Sequence, residues 1–93
     1  MKPMLNRSVT IANRRGLHAR SASVLAKTAS KFQSDIRITS QYAKANGKNI
    51  MSLLLLQASF HSKINVQVSG EDEVLAMKTI VCLVENGFGE EEE

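Results

Sequence analysis

The stretch Gly16-Leu17-His18-Ala19-Arg20-Ser21 collects the residue types needed to hold a phosphoryl group. An imidazole titrates near pH ~6.5, so a neutral ring with a nucleophilic nitrogen is available at physiological pH. Where such a segment opens a helix, the first backbone N–H groups have no intrahelical partners. Together with the helix dipole they form a site for an anion, and that positive end favours the neutral ring over imidazolium. Arg20, two residues on, brings a planar guanidinium fork suited to phosphoryl oxygens. Gly16 permits a tight turn just before the site, and Arg14 and Arg15 add positive potential beside it. On these grounds His18 is a candidate phosphate-handling residue at the N-terminal end of a short helix. The bland alternative, a histidine serving only as a polar cap, stands beside this on position alone.

The elements that must position these residues are legible from periodicity. Val9 and Ile11 alternate with Ser8 and Thr10, which predicts a first strand over residues 5–12. Ala22, Leu25, Ala26 and Ala29, with Phe32, have helical spacing, so a helix is expected over residues 19–31. Ile36 and Ile38 mark a second strand, and residues 42–45 a short third one. At Asn46-Gly47 two readings compete: a hairpin turn leading into a strand near Ile50, or Asn49 as the N-cap of a short helix over Ile50 to Leu56. Ile64, Val66 and Val68 alternate with polar residues in a clear strand that ends at Ser69-Gly70. Glu71, Asp72 and Glu73 suit the first turn of a final helix. Its apolar face is expected to hold Val74, Met77, Ile80, Val81 and Val84, and Asn86-Gly87 should stop it. With the helix reading at Ile50, the order is β-α-β-β-α-β-α. Strands with one apolar face need helices on one side only, which is a two-layer α+β sandwich.

Composition bounds the function. Ninety-three residues make one small domain, expected over 1–89, with 90–93 an acidic, solvated and disordered tail. The single cysteine, Cys82, allows no internal disulfide and is expected to pack within the last helix. The start of the chain leads into no apolar signal segment, and apolar runs such as Leu53 to Leu56 are far too short to span a bilayer. A cytoplasmic protein is expected. Net charge is +3, with eleven of the twelve Lys and Arg at or before Lys63 and eight of the nine acids at or after Glu71. That basic N-terminal part favours an anionic partner. No spacing of Cys, His and acids suggests a metal site, and no cofactor is expected. His61, in the polar loop Ser59-Phe60-His61-Ser62, carries no expected chemistry.

Gly16-Leu17-His18-Ala19-Arg20 resembles the active-site signature of HPr, the histidine phosphocarrier of the bacterial phosphoenolpyruvate-dependent phosphotransferase system (PTS). The resemblance covers roughly residues 5–88. It includes Ala45-Asn46-Gly47-Lys48-Asn49-Ile50-Met51, similar to the family's second motif, and Gly70-Glu71-Asp72-Glu73 at the last helix, in the same order and separation. It implies an HPr-like open-faced two-layer β-sandwich, with a four-stranded antiparallel sheet and three helices on one face, and a helix rather than a hairpin strand after Asn49. It also implies a phosphocarrier, not an enzyme: His18 takes a phosphoryl group on Nδ1 from phosphorylated enzyme I and passes it to an enzyme IIA-type protein, with Arg20 supporting the phosphohistidine. Arg15, Gly16, Leu17, Ala19 and Ser21 would support phosphate or partner, and Lys48, Asn49, Ile50, Met51 and Leu54 would dock partners. A monomer is expected, with no nucleic acid bound and no membrane insertion.

Three positions depart from the family pattern. Ser21 stands where the family usually has Pro, Arg15 where it often has Asn, and Asn49 where many members have a regulatory serine phosphorylated by HPr kinase. Asparagine caps a helix as well as serine does, so the structural role survives while the serine switch is lost; Ser52 is a weak substitute for it. Carriers of this kind serve both sugar uptake and a nitrogen-related regulatory branch, and both stay open. Two readings from other classes are a small basic RNA-binding module and a ligand-sensing α+β module. Against the first, aromatic residues are only 4 % and no strand carries the aromatics on which bases stack. Against the second, nothing in the sequence asks for a dimer or a small-molecule pocket.

Overall fold

The computed structural model describes residues 4–90. The chain runs through β1 (Leu5–Thr10), α1 (Ala19–Ala29), β2 (Asp35–Thr39), β3 (Lys44–Asn46), α2 (Ile50–Leu54), β4 (Lys63–Ser69) and α3 (Glu73–Glu85), then a 3-10 turn at Gly87–Gly89. The alternation that marked β4 puts Ile64, Val66 and Val68 on its buried face, and Ile36 and Ile38 share that face from β2. β4 pairs antiparallel with β1 on one side and β2 on the other, and β3 adds to β2, giving the order β1-β4-β2-β3. One apolar layer joins this sheet to the helices: Ala22, Leu25 and Ala29 of α1, Leu53 of α2, and Ala76, Ile80 and Val84 of α3 are all fully buried. Burial of this kind, at roughly 25 cal/mol per Å² of apolar surface, is what holds two such layers together.

Asn49 caps α2, its side-chain oxygen accepting from the N–H of Ser52 at 2.9 Å, and the segment is helical rather than the far arm of a hairpin. Leu53 and Leu56 point into the core while Leu55 is 64 % exposed, since four consecutive residues in the last turn of α2 and the turn after it cannot share one face. Asp72 is the N-cap of α3, but its carboxylate does not serve its own helix. It accepts from the backbone N–H groups of Gln33 (2.8 Å) and Ser34 (2.9 Å) and from the Ser34 hydroxyl, tying the start of α3 to the entry of β2.

Two packing expectations need correction. Val74 lies on the Met77–Val81 side of α3 but is 71 % exposed, because the first turn of α3 overhangs the edge strand β1, where Val74 lines a shallow groove with Leu5 and Met77. Cys82 lines the same groove and is exposed, not packed. Glu90, read from sequence as the first residue of a solvated tail, is instead drawn onto the body of the protein; residues 91–93 of that tail lie outside the described residues. Among the described residues no helix is long and apolar enough to cross a membrane.

Candidate functional site

The loop between β1 and α1 is fastened before it reaches His18. Ile11 donates its N–H to Ser62 O and accepts from the N–H of His61. Asn13 is buried, and its Nδ2 donates to Gly16 O at 2.8 Å. Gly16 has φ +67° and lies so close to the Ala58–Ser59 backbone that a Cβ would sit 2.5 Å from Ala58 O, so glycine is required there. Leu17 is buried and donates its N–H to Ala58 O at 2.8 Å.

His18 is the N-cap of α1, with extended backbone (φ −125°, ψ −175°). Its Nδ1 accepts the backbone N–H of Arg20 at 3.3 Å, and its own N–H is held by Ser21 Oγ at 2.9 Å. Ser21 Oγ in turn donates to Gly16 O at 2.9 Å. Ser21 is fully buried, so its hydroxyl secures the turn that presents His18 and does not face the surface. On the other side of the ring, Nε2 lies 2.7 Å from Glu90 Oε2, and Asn13 Nδ2 donates to Glu90 Oε1 at 2.7 Å. Burial alone would raise the pKa of Glu90. The hydrogen bonds from Asn13 and His18, with the positive field of Arg15, outweigh it and hold the carboxyl below its usual 4.5.

This geometry assigns the ring protons. An ionised carboxylate can only accept, so Nε2 carries hydrogen; a backbone N–H can only donate, so Nδ1 carries the lone pair. The side chain of His18 keeps 19 % exposure, while Ala19, Arg20, Arg14 and Arg15 around it are exposed. The Nδ1 lone pair thus stands at a helix N-terminus, on a partly exposed ring, with exposed Arg14, Arg15 and Arg20 close to it in the chain.

The remaining sequence-derived site residues divide into two groups. Gly16, Leu17 and Ser21 are buried scaffold beneath His18. On the α2 side, Lys48 is committed to Phe32 O through Nζ at 2.8 Å, Asn49 caps the helix, and Leu54 is partly buried against the core. Ile50 and Met51 are exposed at 39 % and 72 %, with Leu55 beside them. Ser52 Oγ accepts the N–H of Asn46 at 3.1 Å. Sequence reasoning missed Glu90 and Asn13. A run of glutamates reads as a tail, and the only local hint was the Gly87-Phe88-Gly89 turn that could fold it back.

Fold and site together define a class: a small two-layer α+β domain that presents a histidine at a helix N-terminus. The family model described as the PTS HPr component phosphorylation site matches residues 5–86. The chain is 42 % identical to the phosphocarrier protein HPr of Xylella fastidiosa (strain Temecula1), over 95 % of this chain and 99 % of that protein. It is 39 % identical to the HPr of Neisseria meningitidis serogroup A, over 96 % and 100 %. The crystal structure of HPr from Thermoanaerobacter tengcongensis superposes with a TM-score of 0.89, at 39 % identity over 96 % of this chain and 100 % of that one. The chain belongs to the HPr family of PTS phosphocarrier proteins. It is a phosphotransfer intermediate and not a catalyst in its own right, which sets aside the RNA-binding and ligand-sensing readings.

Proposed function

We propose that His18 carries the phosphoryl group on Nδ1, taking it from phosphorylated enzyme I and giving it to an enzyme IIA-type protein. The observation that carries this reading is the Nδ1 lone pair held at the N-terminus of α1, against the N–H of Arg20. When the group lands, the Nδ1 lone pair goes into the N–P bond, and the Arg20 N–H passes from Nδ1 to a phosphoryl oxygen beside it. Arg20, exposed one step into the helix, supplies the charge and fork that hold those oxygens, and Arg15 adds to the field. Exposed Ile50 and Met51 with Leu55 form the apolar ground on which both partners dock, with Lys48, Asn49 and Leu54 shaping its edge. The protein works as a cytoplasmic monomer, and the acceptor belongs to the carbohydrate or the nitrogen-related branch.

Incubation with enzyme I and phosphoenolpyruvate should add one acid-labile phosphoryl group to the intact mass, and His18→Ala should add none. Retention of the group in His18→Ala would overturn the assignment. Presenting the phosphorylated protein to IIA proteins of each branch identifies the acceptor by which one removes the group.

A further inference from the structure

Glu90 reaches His18 through a turn that the fold goes to some cost to make. Gly87, Phe88 and Gly89 have φ of +64°, +58° and +73°, three consecutive left-handed residues. For Phe88 this backbone is strained, by about 1 kcal/mol, and burial of its ring to 5 % exposure offsets the strain. The turn delivers Glu90 to a prepared place. One carboxylate oxygen receives Asn13 Nδ2, itself buried and anchored to Gly16 O, and the other faces His18 Nε2 at 2.7 Å. The Glu90 side chain is 17 % exposed, so this is not a loose surface pairing.

Building on the carrier reading of His18, we propose that Glu90 is a positioning residue for phosphoryl transfer: its carboxylate, fixed by Asn13, keeps the proton on Nε2 through both the arrival and the departure of the group. On arrival, the Nδ1 lone pair forms the N–P bond while the donor's bond to phosphorus breaks and its electron pair stays with the donor. The ring, still bearing Nε2–H, is then cationic beside an anion. On departure, the N–P bond breaks and its pair returns to Nδ1, leaving the same neutral Nε2–H ring. No proton crosses to solvent in either step. Without the Nε2 proton the leaving group would be an imidazolate anion, a far poorer one, so the carboxylate keeps the carried group labile. Among the described residues, the charged groups near the pair include Arg15, whose field reaches Glu90, Arg20, whose N–H meets Nδ1, and Arg14 in the same loop. The Gly87–Gly89 turn, α2 and the Ala58–Ser59 segment contribute no charged side chain, and Glu85 at the end of α3 lines a separate hollow with Phe60 and His61. Glu90 itself stays ionised well into mild acid, because its pKa is lowered.

The test uses the full chain and its Glu90→Ala and Glu90→Gln variants, phosphorylated by enzyme I and phosphoenolpyruvate. Hydrolysis of the phosphohistidine is followed by phosphorus NMR from pH 5.5 to 9. The protonated phosphorylated ring hydrolyses faster, and Glu90 holds that proton to higher pH. All three proteins should therefore decay alike at pH 5.5, and both variants about three- to tenfold more slowly than wild type at pH 8. In the unphosphorylated protein, a slowly exchanging Nε2–H signal should be present in wild type and lost in Glu90→Ala. Coincident pH profiles, or a uniform change at every pH, would overturn the role of Glu90 while leaving the carrier reading intact. Wild-type protein that takes up no phosphoryl group would overturn the carrier reading and this proposal with it.

Discussion

Ser21 shows how a single departure from a family pattern can be absorbed. Proline at this place would have no N–H and no hydroxyl. Serine brings both, and its hydroxyl bridges the His18 N–H and the Gly16 carbonyl from a fully buried position. Ser21→Ala leaves the His18 N–H without that partner, although Gly16 O keeps its bond from Asn13. The expected loss is about 1–2 kcal/mol in urea unfolding, with slower phosphoryl uptake because His18 is less firmly presented. Arg20, in the proposed role, acts at the same scale by charge. Arg20→Ala should slow transfer from enzyme I by roughly tenfold or more while leaving the urea midpoint near that of wild type. Arg20→Lys should recover only part of the rate, since an ammonium lacks the guanidinium fork.

At the scale of elements, the proposal gives the chemistry to α1 and the contact to α2. The exposed apolar side of α2 cannot be explained by the core, which Leu53 and Leu56 already satisfy. Met51, at 72 % exposure, tests this directly. Met51→Asp should raise the KM for enzyme I by about tenfold, yet change stability by no more than about 0.5 kcal/mol, as expected of a surface position. The helix at α2 was legible because Asn49 is a good N-cap and because the motif around it resembles the family's second one. Periodicity alone left hairpin and helix level, since five residues are too few for either period to declare itself.

Across the whole molecule, one source of acid sensitivity should be the Asp72 clamp between α3 and the entry of β2. Hydrogen bonds from the Ser34 hydroxyl and the Gln33 N–H lower the Asp72 pKa below its usual 3.8. A carboxyl whose folded pKa is depressed contributes stability that is fully present above its unfolded value and is lost as pH falls through the folded one. Wild-type protein should therefore lose this contribution only below about pH 4. Asp72→Asn should be less stable at pH 7 and show a shallower loss of thermal stability between pH 5 and 2, measured by circular dichroism.

Residues read in isolation determined much of this protein. Alternation in β4 and β2, the spacing of Ala22, Leu25 and Ala29, and the caps at His18 and Asn49 are local signals, because strand and helix periods and helix ends are set by near neighbours in the chain. The same local pattern carried the family and pointed to His18. Tertiary structure decided what neighbours in sequence could not. Val74 has the right period for the core but hangs over the edge of the sheet, and Cys82 opens onto the same groove. Glu90 stands 72 residues from His18, and the two meet only because three left-handed residues turn the chain back over α1. A hydrogen bond depends on position in space rather than in sequence, so a glutamate that reads as solvated tail becomes the partner of the histidine proposed to carry the phosphoryl group.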